Sequence, residues 1–174
     1  MIAVAALCCS LHVWADDILI KAAEIRGYGI FEAEVDKLDR LAGTSAPARD
    51  AVDGIDFTEY TDQIPGRVGV GFGIEYVIDS TPKGTPITVT NVIRFPGKGM
   101  HESDGRTYKV SREKREVRVG YPDFYGFGFD EPSEIIPGKW SVEVYVNKAR
   151  VVRKGFTVLP PASESEEIGK TDEQ

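Results

Sequence analysis

Three short segments of this sequence alternate glycine with a larger apolar residue, and this pattern restricts them to extended strands. The segments are residues 27–29 (GYG), 69–73 (GVGFG) and 125–129 (YGFGF). Successive side chains of a strand point to opposite faces, so the glycines of each segment share one face. Glycine weakens a strand because it loses more backbone entropy on folding than other residues. Each glycine face therefore needs cover from nearby side chains, or it is open to something from outside.

The other apolar patterns also predict strands and turns. Residues 67–79, 87–95 and 140–146 alternate apolar with polar or small positions, and residues 149–159 follow the last of these after a two-residue turn. Trp140 begins the third stretch on its apolar face and is expected in the core. Short strands with regular turn signals and a closing hairpin predict an all-β, antiparallel sandwich of the immunoglobulin-like type.

The start of the sequence predicts export. Residues 1–11 are apolar, and Val13-Trp14-Ala15 has the small-x-small form of a cleavage site. We therefore interpret residues 1–15 as a secretory signal peptide and expect the protein in the periplasm or outside the cell. Cleavage removes both cysteines, so no disulfide holds the domain. The apolar run is too short to span a bilayer, and no later segment predicts a membrane span.

The charge pattern argues against nucleic acid as a partner. The chain has a net charge of −7, whereas nucleic-acid binding rests mainly on the neutralisation of phosphates. Residues 160–174 are acidic and polar, and they are predicted to be a disordered tail. One basic stretch predicts a solvated edge strand, which could contact the acidic tail, an anionic surface or an acidic partner. Its cations are Lys109, Arg112, Lys114, Arg115 and Arg118.

Four motifs of the sequence resemble one known domain family. They are GVGFGIEY at 69–76, YGFGFDEP at 125–132, PGKW at 137–140 and GFTV at 155–158. Together they resemble a bacterial domain family of unknown function that occurs in exported proteins, over roughly residues 20–159. The resemblance implies an immunoglobulin-like sandwich, and it brings no activity, substrate or catalytic residue. Between the signal peptide and the tail, residues 16–159 are thus predicted to form one domain.

The sequence leaves two interpretations of the glycine faces. In the first, aromatic rings from neighbouring strands lie across the glycines, or the glycines permit strong bending. In the second, the glycine faces form a shallow groove for an extended peptide or a flat ligand. The second interpretation adds two nearby tyrosines to the glycines. The candidate ligand or partner surface is then Gly69, Gly71, Gly73, Tyr121, Tyr125, Gly126 and Gly128.

Residues typical of an active site are sparse. Outside the predicted signal peptide His101 is the one histidine, so a multi-histidine metal site is excluded there, and no Gly-x-Ser-x-Gly motif supplies a nucleophile. Residues 50–59 hold several carboxylates without the spacing of an EF-hand, which is typical of an ordinary loop. We therefore expect no metal and no cofactor. Paired carboxylates for glycoside hydrolysis are a weak alternative. The candidates are Asp123, Asp130, Glu131 and Glu134.

Three functions are compatible with these observations. The preferred hypothesis is a non-enzymatic, exported binding module whose partner is a protein or glycan of the cell envelope. The second is a carbohydrate-binding module in which Tyr121, Tyr125 or Trp140 stacks on sugar rings. The third is a hydrolase that uses two carboxylates from residues 123–134.

Overall fold

The chain forms a β-sandwich, which the computed structural model describes over residues 20–32, 56–97, 99–101 and 105–162. The predicted signal peptide, the acidic tail from residue 163 onwards and residues 50–55 of the acidic loop lie outside the described residues.

Ten strands make up most of the described part of the chain, together with one turn of 3-10 helix at Pro132–Glu134. Within that part, no helix is long and apolar enough to cross a membrane. The strands are β1 (Ala22–Glu32), β2 (Gln63–Ile64), β3 (Val70–Asp79), β4 (Pro86–Arg94), β5 (Met100–His101), β6 (Thr107–Tyr108), β7 (Val110–Arg118), β8 (Pro122–Gly128), β9 (Gly138–Val146) and β10 (Ala149–Val158).

The strands form two packed layers. One sheet has the order β1-β3-β8, the other has the order β2-β10-β9-β4-β7, and β5 and β6 form a small ribbon. Neighbouring strands run antiparallel except β2, which pairs parallel with β10. The predicted all-β, antiparallel sandwich is confirmed. The charged stretch is also confirmed as an edge strand, because β7 is the last strand of the five-stranded sheet.

The core lies between the inner faces of the two sheets. Alternate residues of β3, among them Phe72 and Ile74, are fully buried, as the period-2 pattern predicts. Trp140 is confirmed as a core residue. Its indole nitrogen donates a hydrogen bond to the carbonyl oxygen of Ile136 at 2.8 Å, and its ring packs edge-on against Phe72 with centroids 5.5 Å apart. Burial of such large apolar side chains is the main stabilising term for a domain without disulfides.

Two local backbone features agree with the sequence pattern. Asn147 and Lys148 have φ angles of 48° and 68°, which is the left-handed conformation of the tight turn that closes an antiparallel hairpin. In β1 the register with β3 shifts between Ile25 and Gly27. This bulge lies next to the first of the three glycine segments.

Candidate binding surface

The outer face of the three-stranded sheet contains the alternating glycines, and aromatic rings of the same chain cover them. The ring of Phe31 lies over Gly71, and the ring of Phe124 lies over Gly73 and Gly126. A methyl group at any of these glycines would overlap the ring above it. Phe31 and Phe124 also pack edge to face, with centroids 5.1 Å apart. These three glycines therefore allow close approach of rings that lie outside the main core.

Backbone, rather than a ring, covers Gly29. The N–H of Ile30 donates a hydrogen bond to the carbonyl oxygen of Glu59 at 2.8 Å, so this later segment pairs with β1 through a short antiparallel bridge. Any side chain at Gly29, which has a φ of 149°, would overlap that carbonyl oxygen. The ring of Phe57 then extends the aromatic cover towards Phe124, with centroids 6.2 Å apart.

The remaining residues of the predicted ligand surface lie apart from one another. Tyr125 is 9% exposed and belongs to the core, whereas Tyr121 is 43% exposed in the turn before β8. The ammonium group of Lys83 lies 4.6 Å from the centre of the Tyr121 ring. Gly69 lies in the turn before β3, and Gly128 lies at the end of β8 opposite β3. The two tyrosines therefore do not form a shared stacking platform.

A buried polar cluster connects the two edge strands β7 and β8 on the inner side of the sandwich. The hydroxyl of Tyr76 and the guanidinium of Arg115 each donate to a different oxygen of Asp123, both at 2.7 Å. Burial raises the pKa of Asp123, and Arg115 and Tyr76 offset this effect only in part. Burial also raises the pKa of Glu113 on β7. Both oxygens of Asp123 are engaged, so this carboxylate links the two sheets.

A cleft of about 640 Å³ lies beside the β5–β6 ribbon, and two of the predicted hydrolase carboxylates, Glu131 and Glu134, line it together with His101. Glu134 accepts hydrogen bonds from the backbone N–H groups of Asp130 and Glu131 at 2.6 and 3.0 Å. Glu131 accepts one from the hydroxyl of Ser133 at 3.3 Å. Both carboxylates therefore stabilise the local turn. Among the described residues, no group of three or more metal-ligating side chains is placed to hold an ion.

The outer face of the five-stranded sheet is basic, although the chain as a whole is acidic. The strand register places Arg112, Val92, Glu143 and Arg153 in one row across four strands. Alternation along the same strands places further cations on this face, against the carboxylates of Glu116 and Glu143. We define the basic face by its cations Arg94, Arg112, Lys114, Arg118, Lys139, Arg150 and Arg153.

Glu143 lies at the centre of the basic face and is only 1% exposed. Its two oxygens lie 3.1, 3.3 and 3.4 Å from guanidinium nitrogens of Arg94, Arg150 and Arg153, and the hydroxyl of Tyr145 donates to it at 2.7 Å. Burial alone would raise the pKa of Glu143, but the hydrogen bonds from Tyr145 and Arg94 and the nearby positive charges lower it overall. Glu143 is thus an anion that holds three guanidinium groups in place.

The sequence pattern indicated only part of the basic face. The charge pattern identified β7, and alternation along β9 places Glu143 and Tyr145 opposite the core. Sequence reasoning misses Arg94, Arg150 and Arg153 as functional candidates, because they come together only through the pairing of β4 with β9, which no local pattern specifies. All three are arginines on the outer face of an inner strand of the sheet. This shared position can be recognised only once the strand order is known.

The chain matches a known domain family and is similar to a solved structure. The family described as "Domain of unknown function (DUF3859)" matches residues 20–158. An immunoglobulin-like protein from Pseudomonas aeruginosa has a similar structure, with a TM-score of 0.57 and 21% sequence identity, over 79% of this chain and 96% of that chain. The predicted membership of a family of unknown function and the predicted immunoglobulin-like sandwich are confirmed.

Two other comparisons give no information on function. The alkylpurine DNA glycosylase AlkC from Pseudomonas fluorescens is 19% identical over 56% of this chain and 27% of that chain, with a TM-score of 0.35. A TM-score this low does not indicate a shared fold. None of the curated proteins matches this chain in sequence.

Proposed function

The chain belongs to the DUF3859 family of domains, and we propose that it is an exported, non-enzymatic binding module that recognises an acidic segment of a partner protein. The observation on which the proposal depends is the basic face, where seven cations surround two carboxylates on the outer surface of one sheet. Such an excess of one charge on one face of an acidic chain is unfavourable on its own, and an anionic partner would neutralise it.

The chemistry of the basic face favours carboxylates as ligands. Glu143 already occupies its centre, which shows that these guanidinium groups accommodate a carboxylate. The hydroxyls of Thr88 and Thr90 lie between the cations and can supply further donors. Neighbouring strands are about 4.8 Å apart, and residues i and i+2 of a strand about 6.7 Å apart. The cations therefore have the spacing of side chains in an extended peptide.

The overall charge favours a short acidic segment over a long polyanion. The chain has a net charge of −7, and the outer face of the other sheet presents Glu75 and Asp79, together with Glu24, which is paired with Arg26. A long polyanion such as nucleic acid would approach these acidic surfaces and be repelled. An acidic segment confined to the basic face avoids this repulsion.

The two alternative functions have less support. Of the three rings considered for sugar stacking, Tyr125 and Trp140 are buried, which leaves Tyr121. Of the carboxylates considered for hydrolysis, Glu131 and Glu134 share a cleft but accept hydrogen bonds from the turn that contains them.

Export is the part of the proposal that depends on residues 1–15, and it places the partner in the cell envelope. N-terminal sequencing of the protein recovered from the cell should find Asp16 as the first residue. Recovery of the intact chain from the cytoplasm would contradict export.

A peptide-binding measurement tests the proposed partner chemistry. We expect the purified protein to bind a synthetic hexaglutamate peptide and not a hexalysine peptide. The double variant Arg112→Glu, Lys114→Glu reverses two charges of the basic face and should weaken hexaglutamate binding by about tenfold or more, because each attraction becomes a repulsion.

The matched control has the same change in net charge on the other sheet. Lys21 and Arg67 are exposed and lie just before β1 and β3. The variant Lys21→Glu, Arg67→Glu should bind hexaglutamate within about threefold of the wild type. Equal loss in both double variants would show a general charge effect, and no binding by the wild type would contradict the proposal directly.

A further inference from the structure

Resting on the proposed function, we infer that Arg94, Arg150 and Arg153 form a receptor for one oxyanion group of the partner's acidic segment, with Glu143 as the residue that positions them. We call these three arginines the arginine triad. The group that binds would be a side-chain carboxylate, or the phosphate of a phosphorylated residue in such a segment, because both present oxygens that guanidinium groups bind in the same way.

Glu143 lies beneath the side chains of the arginine triad and fixes their positions. One oxygen accepts hydrogen bonds from Arg94 and Tyr145 at 3.1 and 2.7 Å. The other oxygen lies 3.3 and 3.4 Å from nitrogens of Arg150 and Arg153. Free arginine side chains lose considerable rotamer entropy when they bind a ligand. In this site the buried carboxylate has already ordered them, so a ligand meets a prearranged set of donors.

The arginine triad has more positive charge and more hydrogen-bond donors than Glu143 uses. Three guanidinium groups face one carboxylate, so two positive charges are not neutralised within the cluster. Each guanidinium has five N–H donors, and Glu143 engages only a minority of them. The three arginine side chains are between 43% and 58% exposed, whereas Glu143 is 1% exposed. Arg94 also donates to the hydroxyl of Tyr145 at 3.4 Å, and about half of each arginine side chain stays exposed to solvent.

Gly155 leaves a space beside the arginine triad. It lies in the same row as Ser141 and Arg94, and two positions after Arg153 on the same face of β10. A Cβ atom at Gly155 would have a single neighbour within 4 Å, the carbonyl oxygen of Trp140 at 3.9 Å. Gly155 does not require left-handed backbone. A small oxyanion group can therefore reach the arginines over this glycine.

Two substitutions of Gly155 test the receptor. Gly155→Glu would place a carboxylate of the chain itself beside the arginine triad, and Gly155→Gln has nearly the same shape without the charge. We expect Gly155→Glu to weaken hexaglutamate binding by about tenfold, and Gly155→Gln by less than about threefold. A peptide with one phosphoserine among neutral residues is the second probe. The probe whose binding Gly155→Glu weakens identifies the oxyanion as carboxylate or phosphate.

The outcomes separate this inference from the proposed function. If Arg112→Glu, Lys114→Glu abolishes hexaglutamate binding while Gly155→Glu and Gly155→Gln bind equally well, the receptor inference is wrong and the proposed function stands. If none of these variants changes binding of either probe, both are wrong. Should Gly155→Glu fail to fold, Arg153→Gln replaces it, with Arg118→Gln as the control for loss of one cation elsewhere on the basic face. Equal binding by these two variants overturns the receptor.

Discussion

Asp123 and Glu143 are both shielded from solvent, yet their surroundings shift their pKa values in opposite directions. Asp123 lies between the sheets, where burial raises its pKa despite the nearby Arg115. Glu143 lies under a layer of arginine side chains on the outer face, where hydrogen bonds and positive charge outweigh burial and lower its pKa. The first carboxylate is tolerated at a cost, and the second is stabilised as an anion.

This contrast predicts opposite effects of acid on two variants. A raised native pKa means that Asp123 contributes stability below its unfolded pKa and loses it as pH rises through the native pKa. A lowered native pKa means that Glu143 contributes stability above its unfolded pKa and loses it as pH falls through the native pKa. As the pH falls from about 7 to about 3, the wild type should become more stable relative to Asp123→Asn. Over the same range it should become less stable relative to Glu143→Gln.

Urea unfolding of the three proteins across this pH range measures both differences. Comparison between variants cancels the general acid denaturation that all three share. If both differences changed in the same direction with pH, one of the two assigned environments would be wrong.

At the scale of the strand, glycines and aromatic rings occur together on the outer face of the three-stranded sheet. Phe31 lies on the same face of β1 as Gly29, and Phe124 lies on the same face of β8 as Gly126. The strands β1 and β8 therefore each supply an aromatic ring on their own glycine face, whereas β3 supplies none. The presence of these two rings on the glycine faces could be predicted from alternation alone. That Phe31 lies over Gly71 depends on the pairing of β1 with β3, which the local sequence does not specify.

Two strand glycines should respond differently to alanine. At Gly73 a Cβ atom would overlap the ring of Phe124 and the backbone of Tyr125 and Gly126, so Gly73→Ala should destabilise the domain by about 1–3 kcal/mol. At Gly155 the space is open, so Gly155→Ala should be neutral or stabilise by up to about 1 kcal/mol through the unfolded chain. Free energies of unfolding in urea provide the comparison, and equal losses for both variants would show that Gly73 is not tightly covered.

At the scale of the whole molecule, the two outer faces of the sandwich differ in charge. The five-stranded sheet presents the basic face, and the three-stranded sheet presents Glu24, Glu75 and Asp79. The sandwich, its core face and its closing hairpin could be predicted from alternation and turn residues, because those signals are local. The whole basic face could not, because β4 pairs with β7 on one side and with the later β9–β10 hairpin on the other, and no local signal specifies these pairings.

This charge separation predicts a strong dependence of partner binding on salt. The screening length falls from about 10 Å at 0.1 M salt to about 3 Å at 1 M. Hexaglutamate binding to the exposed cations should therefore weaken steeply over this range. Binding that is unchanged at high salt would indicate an apolar contact, such as one with the aromatic cover of Phe31, Phe57 and Phe124.

The most direct test of the central claim is an NMR titration of the isotope-labelled protein with hexaglutamate, in which backbone amides and arginine side-chain N–H groups are followed together. The account predicts that the shifted signals map to the basic face, with the largest side-chain shifts at Arg94, Arg150 and Arg153. Shifts confined to Tyr121, to the covered glycine face or to the cleft beside the β5–β6 ribbon would contradict it.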